Sequence, residues 1–249
     1  MNGLPKPSRR RCLAAALALP FAPLVRAQAS IDALRFSALA AGGGLPADYR
    51  SYAFENQPRH TEYSLVDDGG RTVLRARAQA STSGIIRSLR VDPATHPILA
   101  WRWKVSGLVQ KGDLASKAGD DFAARVYVSF DLDVASLGAG DRMKLGLARM
   151  LYGPDVPVAV LCYVWDRAAP VGTIAANAYT DRVQMIVVDS GPANVGRWVS
   201  RERDVAADFQ RAFGFPAPAV NGVIVSTDTD NTGESVEAFY GDASFRPRA

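Results

Sequence analysis

The sequence has few of the side chains on which nucleophilic and metal chemistry is usually built. Its 249 residues include two cysteines, Cys12 and Cys162, and two histidines, His60 and His96. It has no Cys/His metal-ligand spacing, no glycine-rich phosphate loop and no dinucleotide-binding glycine pattern. The histidines stand apart from any serine or cysteine motif, and His96, just before Pro97, reads as a surface turn residue. No apolar run reaches the roughly 20 residues that a membrane-spanning helix needs. Internal repeats and low-complexity segments are absent as well, which excludes solenoid and propeller arrays.

What is present begins with a leader. Lys6 and the arginines at 9–11 precede an apolar run over residues 13–25, and small residues at 25–29 offer a cleavage site, the layout of a signal peptide spanning residues 1–29. Ser8-Arg9-Arg10-Arg11-Cys12-Leu13 is also similar to a twin-arginine signal, so both export routes stay open. The expected location is periplasmic or secreted. Residues 1–29 carry five of the 29 Lys+Arg and none of the 25 Asp+Glu, which leaves 24 bases against 25 acids, a net charge of −1. That balance removes the electrostatic footprint of a nucleic-acid binder. Only Cys162 survives cleavage, in the apolar run 158–165, where a thiol reads as a small buried hydrophobe. With no internal disulfide available, the fold must rest on its core, and the roughly 220 residues of 30–249 suffice for a single β-sandwich domain.

Short β-branched and alternating runs dominate the remainder. Residues 61–66 and 71–79 flank Asp67-Asp68-Gly69-Gly70, a strong hairpin signal. In Ile98-Leu-Ala-Trp-Arg-Trp-Lys-Val105, period-two alternation places Leu99, Trp101, Trp103 and Val105 on one face and Arg102 and Lys104 on the other. Tryptophans sharing a face with leucine and valine are core residues rather than sugar-stacking platforms. In Phe122–Phe130, Arg125 and Tyr127 occupy the polar face, with Asp120 and Asp121 at the strand's entrance. The runs at 158–165 and 183–189 are the most continuous and read as central strands. Two short helices are expected. One spans 141–152 on the stripe Met143, Leu147, Met150 and Leu151, and the other follows Asp204 as N-cap and ends at Gly214. Residues 223–245 read as two strands joined by the acidic loop Asp228, Asp230, Asn231, Thr232, Gly233 and Glu234, a hairpin closing a sheet already built. Nine or more strands with two short helices point to an all-β sandwich of jelly-roll or concanavalin-lectin-like arrangement.

Five separated motifs occur in order: Trp-Arg-Trp-Lys-Val at 101–105, Gly-Asp-Asp-Phe-Ala-Ala-Arg-Val-Tyr-Val at 119–128, Tyr-Val-Trp at 163–165, residues 198–214, and Thr-Asp-Thr-Asp-Asn-Thr-Gly at 227–233 with Tyr-Gly-Asp at 240–242. Together they resemble the bacterial domain of unknown function family 3047. The resemblance implies an exported β-sandwich with no established activity. It departs from the family pattern at Ala243, where an aliphatic such as Ile is expected, and at Cys162, where a polar residue often precedes the tyrosine.

Asp228 and Asp230 are the candidate metal ligands, because calcium takes carboxylate and carbonyl oxygens. An EF-hand is excluded, since its twelfth position would be Phe239 and strands flank the loop. Asp120, Asp121, Arg102, Lys104, Arg125, Tyr127 and Asn231 are the candidate binding residues, for a glycan or other small polar ligand. This expectation rests on one supposition, that the two acidic corners meet beside a single polar sheet face. No catalytic residue is assigned. A polysaccharide hydrolase or lyase would need two of Asp120, Asp121, Asp228, Asp230 and Glu237 at glycosidase separation, and a structural envelope protein would use the same acids only to hold its loops.

Overall fold

The computed structural model describes residues 1, 29–53, 57–136, 138–140 and 158–248. Residues 2–28 of the expected leader and the expected helix at 141–152 lie outside the described residues. Among the described residues, thirteen strands form two sheets. Six of them are β1 (Ile31–Leu34), β3 (Glu62–Asp67), β4 (Thr72–Gln79), β6 (Ile98–Val105), β11 (Val199–Asp204) and β13 (Ser235–Arg246). Their order is β11-β6-β13-β4-β3, with β1 pairing the far end of β13. The other seven are β2 (Tyr49–Tyr52), β5 (Gly84–Val91), β7 (Arg125–Phe130), β8 (Ala159–Asp166), β9 (Ile174–Asn177), β10 (Thr180–Ser190) and β12 (Val220–Ser226), in the order β2-β5-β12-β7-β8-β10-β9. The chain crosses between the sheets repeatedly, giving an all-β sandwich wound as a jelly roll. No described helix is long and apolar enough to cross a membrane.

Alternation sets the core. Leu99, Trp101, Trp103 and Val105 of β6 face inward against Leu161, Tyr163 and Trp165 of β8. Trp101 stacks on Tyr163 at 5.2 Å between ring centroids, and Trp103 meets Trp165 at 6.0 Å. Strand β8 is buried along its whole length because its alternate residues, Cys162 and Val164, pack into a second cluster with Phe122, Met185 and Val187. A strand covered on both faces reads as an unbroken apolar run. Burial pushes the Cys162 thiol up to about 12, so it stays protonated and inert.

The one described α-helix, α1 (Val205–Phe213), follows its sequence signals. The Asp204 side chain accepts from the Ala207 amide, and Gly214 closes the helix in the left-handed region at φ +84°. Phe209 enters the core, and buried Asp208 accepts from the Tyr163 hydroxyl and from Arg203 and Arg211.

The expected closing hairpin at 223–245 is not formed. Strand β12 lies between β5 and β7 in one sheet, and β13 lies between β6 and β4 in the other. The acidic loop therefore bridges the two sheets at the rim of the sandwich. Two alternating strands joined by eight residues satisfy a hairpin and a sheet crossing equally well, and core packing selects the crossing. The Asp67–Gly70 turn, by contrast, does join β3 and β4 as an antiparallel pair.

Asp189 ties the sheets from within, since its carboxylate accepts from Trp103 Nε1 at 2.8 Å and pairs with Arg201. Asp189→Ala should lower unfolding free energy by about 2–4 kcal/mol, because two donors lose a buried partner. Urea titration checks this, and Asp189→Asn, which keeps one acceptor, should lose less.

Candidate functional site

The sheet crossing builds the site. Pairing of Ser226 with Arg125 in the β12–β7 ladder brings the start of the acidic loop beside the start of β7. The ladder continues past both strands, as the Asp228 amide donates to the Phe122 carbonyl and the Phe122 amide donates to Asp228 Oδ1 at 3.1 Å. Tyr240 of β13, in the opposite sheet, fixes the loop's start by bonding the Thr227 hydroxyl and the Ser226 carbonyl. Residues 120–121 and 228–232, over a hundred positions apart, thus share one corner.

A buried guanidinium lies at the centre. Arg125 donates from Nε to Asp228 Oδ1 at 2.9 Å and lies 2.6 Å from Asp228 Oδ2, while its Nη1 bonds Asp120 Oδ1 at 3.1 Å. Asp120 also accepts from the Asn177 amide at 2.7 Å. Asp121 accepts from Asn231 Nδ2 at 3.1 Å and from the Thr232 amide at 2.6 Å. Asp230 is half-buried and accepts from Gln57 at 2.9 Å. At the mouth, Tyr179 is half exposed, bonds Asn231 Oδ1 through its hydroxyl at 2.7 Å, and has the Lys117 ammonium 5.1 Å from its ring.

Four carboxylates around one guanidinium carry a net charge of −3 when all are ionised. That charge is costly away from water. Burial pushes Asp228 up to about 7, with Asp121 and Asp120 adding to the rise and Arg125 opposing it. Burial and the neighbouring Asp121 push Asp230 up to about 6. Oxygen atoms of Asp121, Asp228 and Asp230 lie within 4.8 Å of one another, a spacing a single hard cation spans. The corner therefore relieves its charge by holding protons, and has the donor chemistry to do so with a cation.

The other expected residues part company. Arg102 and Lys104 lie on the outer face of β6, in the six-stranded sheet, whereas Arg125 and Tyr127 point from the outer face of β7 in the seven-stranded one. The expected shared polar face does not exist, because the alternation of two strands says nothing about which sheet each joins. Nor is the β7 outer face wet. Arg125 is 2% exposed, and Tyr127 packs on the cluster around Cys162 and Val164. Glu237 lies outside the acidic corner and pairs with Arg77. Sequence reading missed Gln57, Asn177 and Tyr179. The signal available for the last two was an aromatic in the polar turn Asn177-Ala-Tyr-Thr-Asp181.

The proton load makes a testable difference. An acid whose folded pKa is raised stabilises the fold most below its unfolded value near 4 and loses that contribution as pH rises towards the folded value. Relative to Asp228→Asn, the wild-type chain should lose stability between about pH 4 and 7, by at most about 1.4 kcal/mol per pH unit. Urea melts across that range check it. A difference that stays flat with pH would mean that Asp228 is ionised throughout.

No curated protein matches the sequence. Among solved structures, the Emp47p carbohydrate recognition domain is similar at 10% identity over 88% of this chain and 96% of its own, with a TM-score of 0.45. A family 12 xyloglucanase from Bacillus licheniformis is similar at 8% identity over 81% of this chain and 100% of its own, with a TM-score of 0.37. The Lotus tetragonolobus seed lectin follows at 12% identity, over 88% and 98%, with a TM-score of 0.36. The family described as "Protein of unknown function (DUF3047)" matches residues 47–244, covering all five motifs, and the chain belongs to that family.

Proposed function

We propose that this is an exported, non-catalytic binding protein whose acidic rim takes a polar ligand, a glycan or envelope saccharide. The observation that carries the reading is the half-exposed Tyr179, tied through Asn231 to the buried acids. An aromatic ring covers the apolar C–H face of a sugar, while nearby carboxylate and amide oxygens accept from its hydroxyls. Asp230 and Asn231 supply those acceptors here. Binding is favoured over hydrolysis because Asp120, Asp121 and Asp228 are already engaged by Arg125, Asn177, Asn231, Thr232 and Phe122. A general acid or nucleophile needs a carboxyl that meets the substrate. The leader supports delivery to the periplasm or beyond.

Calcium belongs to the same proposal. Asp121, Asp228 and Asp230 are the residues that would hold it, and its charge would offset the excess negative charge of the corner. Bound there, it would fix the loop that presents Asn231.

In affinity electrophoresis with envelope and plant polysaccharides, at least one should retard the wild-type chain. Tyr179→Ala should weaken that retardation by roughly tenfold, the loss of one stacking contact. If no polysaccharide binds, or if Tyr179→Ala binds as well as wild type, the saccharide reading fails. Calcium should raise the melting temperature over chelator in the wild type and not in Asp230→Asn, and an unchanged wild-type midpoint removes the metal.

A further inference from the structure

The outer face of the six-stranded sheet carries a second feature, separate from the acidic rim. Arg102 lies flat across it, its guanidinium carbon 4.3 Å from the Trp198 ring centre. Room for this is built into the backbone: β13 has an irregularity between Tyr240 and Ala243, and a Cβ at Gly241 would fall 2.5 Å from Arg102 Cγ and Nε. A larger residue there would force the Arg102 side chain out of this position. The tip of the β3–β4 hairpin reaches across the same face, since Asp68 Oδ2 accepts from Lys104 Nζ and from Trp198 Nε1, each at 2.6 Å. Gly69 and Gly70, at φ +70° and +80°, turn this tip.

Within this arrangement Arg102 has no acid of its own. Its Nη2 is buried without a hydrogen-bond partner, in a protein where nearly every other described buried side-chain polar atom has one. The two nearest carboxylates are engaged elsewhere, Asp68 with Lys104 and Trp198, and Asp242 with the Ser37 amide and hydroxyl. Arg71 closes the same hairpin tip, its carbonyl accepting from the Asp68 amide at 3.0 Å. Burial and the charge of Arg71 lower the Arg102 pKa, and Asp242 and Asp68 only partly offset them. A glycine bulge seats Arg102 beneath this tip, with one of its donors orphaned.

We propose that Arg102 and Arg71 bind a small oxyanion, a carboxylate or sulfate or phosphate group, clamped between the sheet and the hairpin tip. Such a group gives Nη2 its missing acceptor and supplies a counter-charge to the arginine on the sheet and to the one on the tip. A guanidinium fork matches the paired oxygens of an oxyanion, and a ring stacked on its face keeps the fork in place. The Asp68 latch sets the height of the tip above the sheet. The site stands whether or not the acidic rim binds saccharide, because the two lie on different sheets.

Calorimetric titration and thermal melting of the full chain with glucuronate, sulfate and phosphate, against chloride at equal ionic strength, test it. At least one oxyanion should bind and raise the midpoint beyond chloride. Affinity should fall roughly tenfold or more in Arg102→Met and in Arg71→Ala, as expected for loss of a charge-assisted pair. Tyr179→Ala should leave the affinity for sulfate and phosphate unchanged. A response to glucuronate alone assigns the site to a sugar carboxylate, and a response to sulfate or phosphate assigns it to a tetrahedral group. Equal responses to chloride and oxyanions, or undiminished binding in Arg71→Ala, overturn the proposal. Arg71 is an exposed tip residue, so that variant decides the matter even if Arg102→Met fails to fold.

Discussion

The guanidinium of Arg125, removed from water at the corner of the sandwich, sets the terms for everything around it. A buried cation must be compensated, and here Asp120 and Asp228 compensate it from two segments over a hundred residues apart in the chain. Compensation overshoots once Asp121 and Asp230 join the corner. Burial pushes Asp228 and Asp230 upward, and the surplus of negative charge adds to the rise.

The same interaction explains why the acidic loop is ordered where it is. A segment that leaves one sheet and enters the other has no strand partner of its own. Its backbone groups must find partners in neighbouring segments. The Phe122 and Ser81 carbonyls and the Asp121 carboxylate supply them, and Tyr240 anchors the end of β12 where the loop begins. The loop is thereby fixed from both sheets, and Asn231 and Asp230 are presented at the rim beside Tyr179. The opposite sheet uses a different device. There the bulge at Gly241 and the β3–β4 tip enclose an arginine whose charge is left partly unanswered. The rim of the sandwich thus carries excess acceptors and the outer face of the six-stranded sheet an excess donor.

Several elements were legible before any coordinates. The alternation in β6 identified Trp101 and Trp103 as core, the caps of α1 were visible as Asp204 and Gly214, and the Asp67–Gly70 turn announced its hairpin. These are local signals, set by a period of two, by an N-cap and by φ > 0 at glycine. The acidic loop was recognised as a cluster of oxygen donors for the same reason. Its role as a crossing was not, and the pairing of Arg102 and Lys104 with Arg125 and Tyr127 on one face was an error. Gln57 gave no pattern, and the polar turn holding Asn177 and Tyr179 gave no sign of its destination, because each reaches the corner by long-range packing.

Local chemistry in the chain by itself determined the alternating strands, the capped helix, the buried thiol and the family. Those properties depend on neighbours a few residues away, and period and capping read them directly. Tertiary structure alone decided which sheet each strand joins, and with it that Asp121, Asp228 and Asp230 share a corner while Arg102 and Arg125 do not. Sheet membership follows from how large side chains such as Trp101, Trp103 and Tyr163 fit together across the core, a long-range condition that no window of sequence contains.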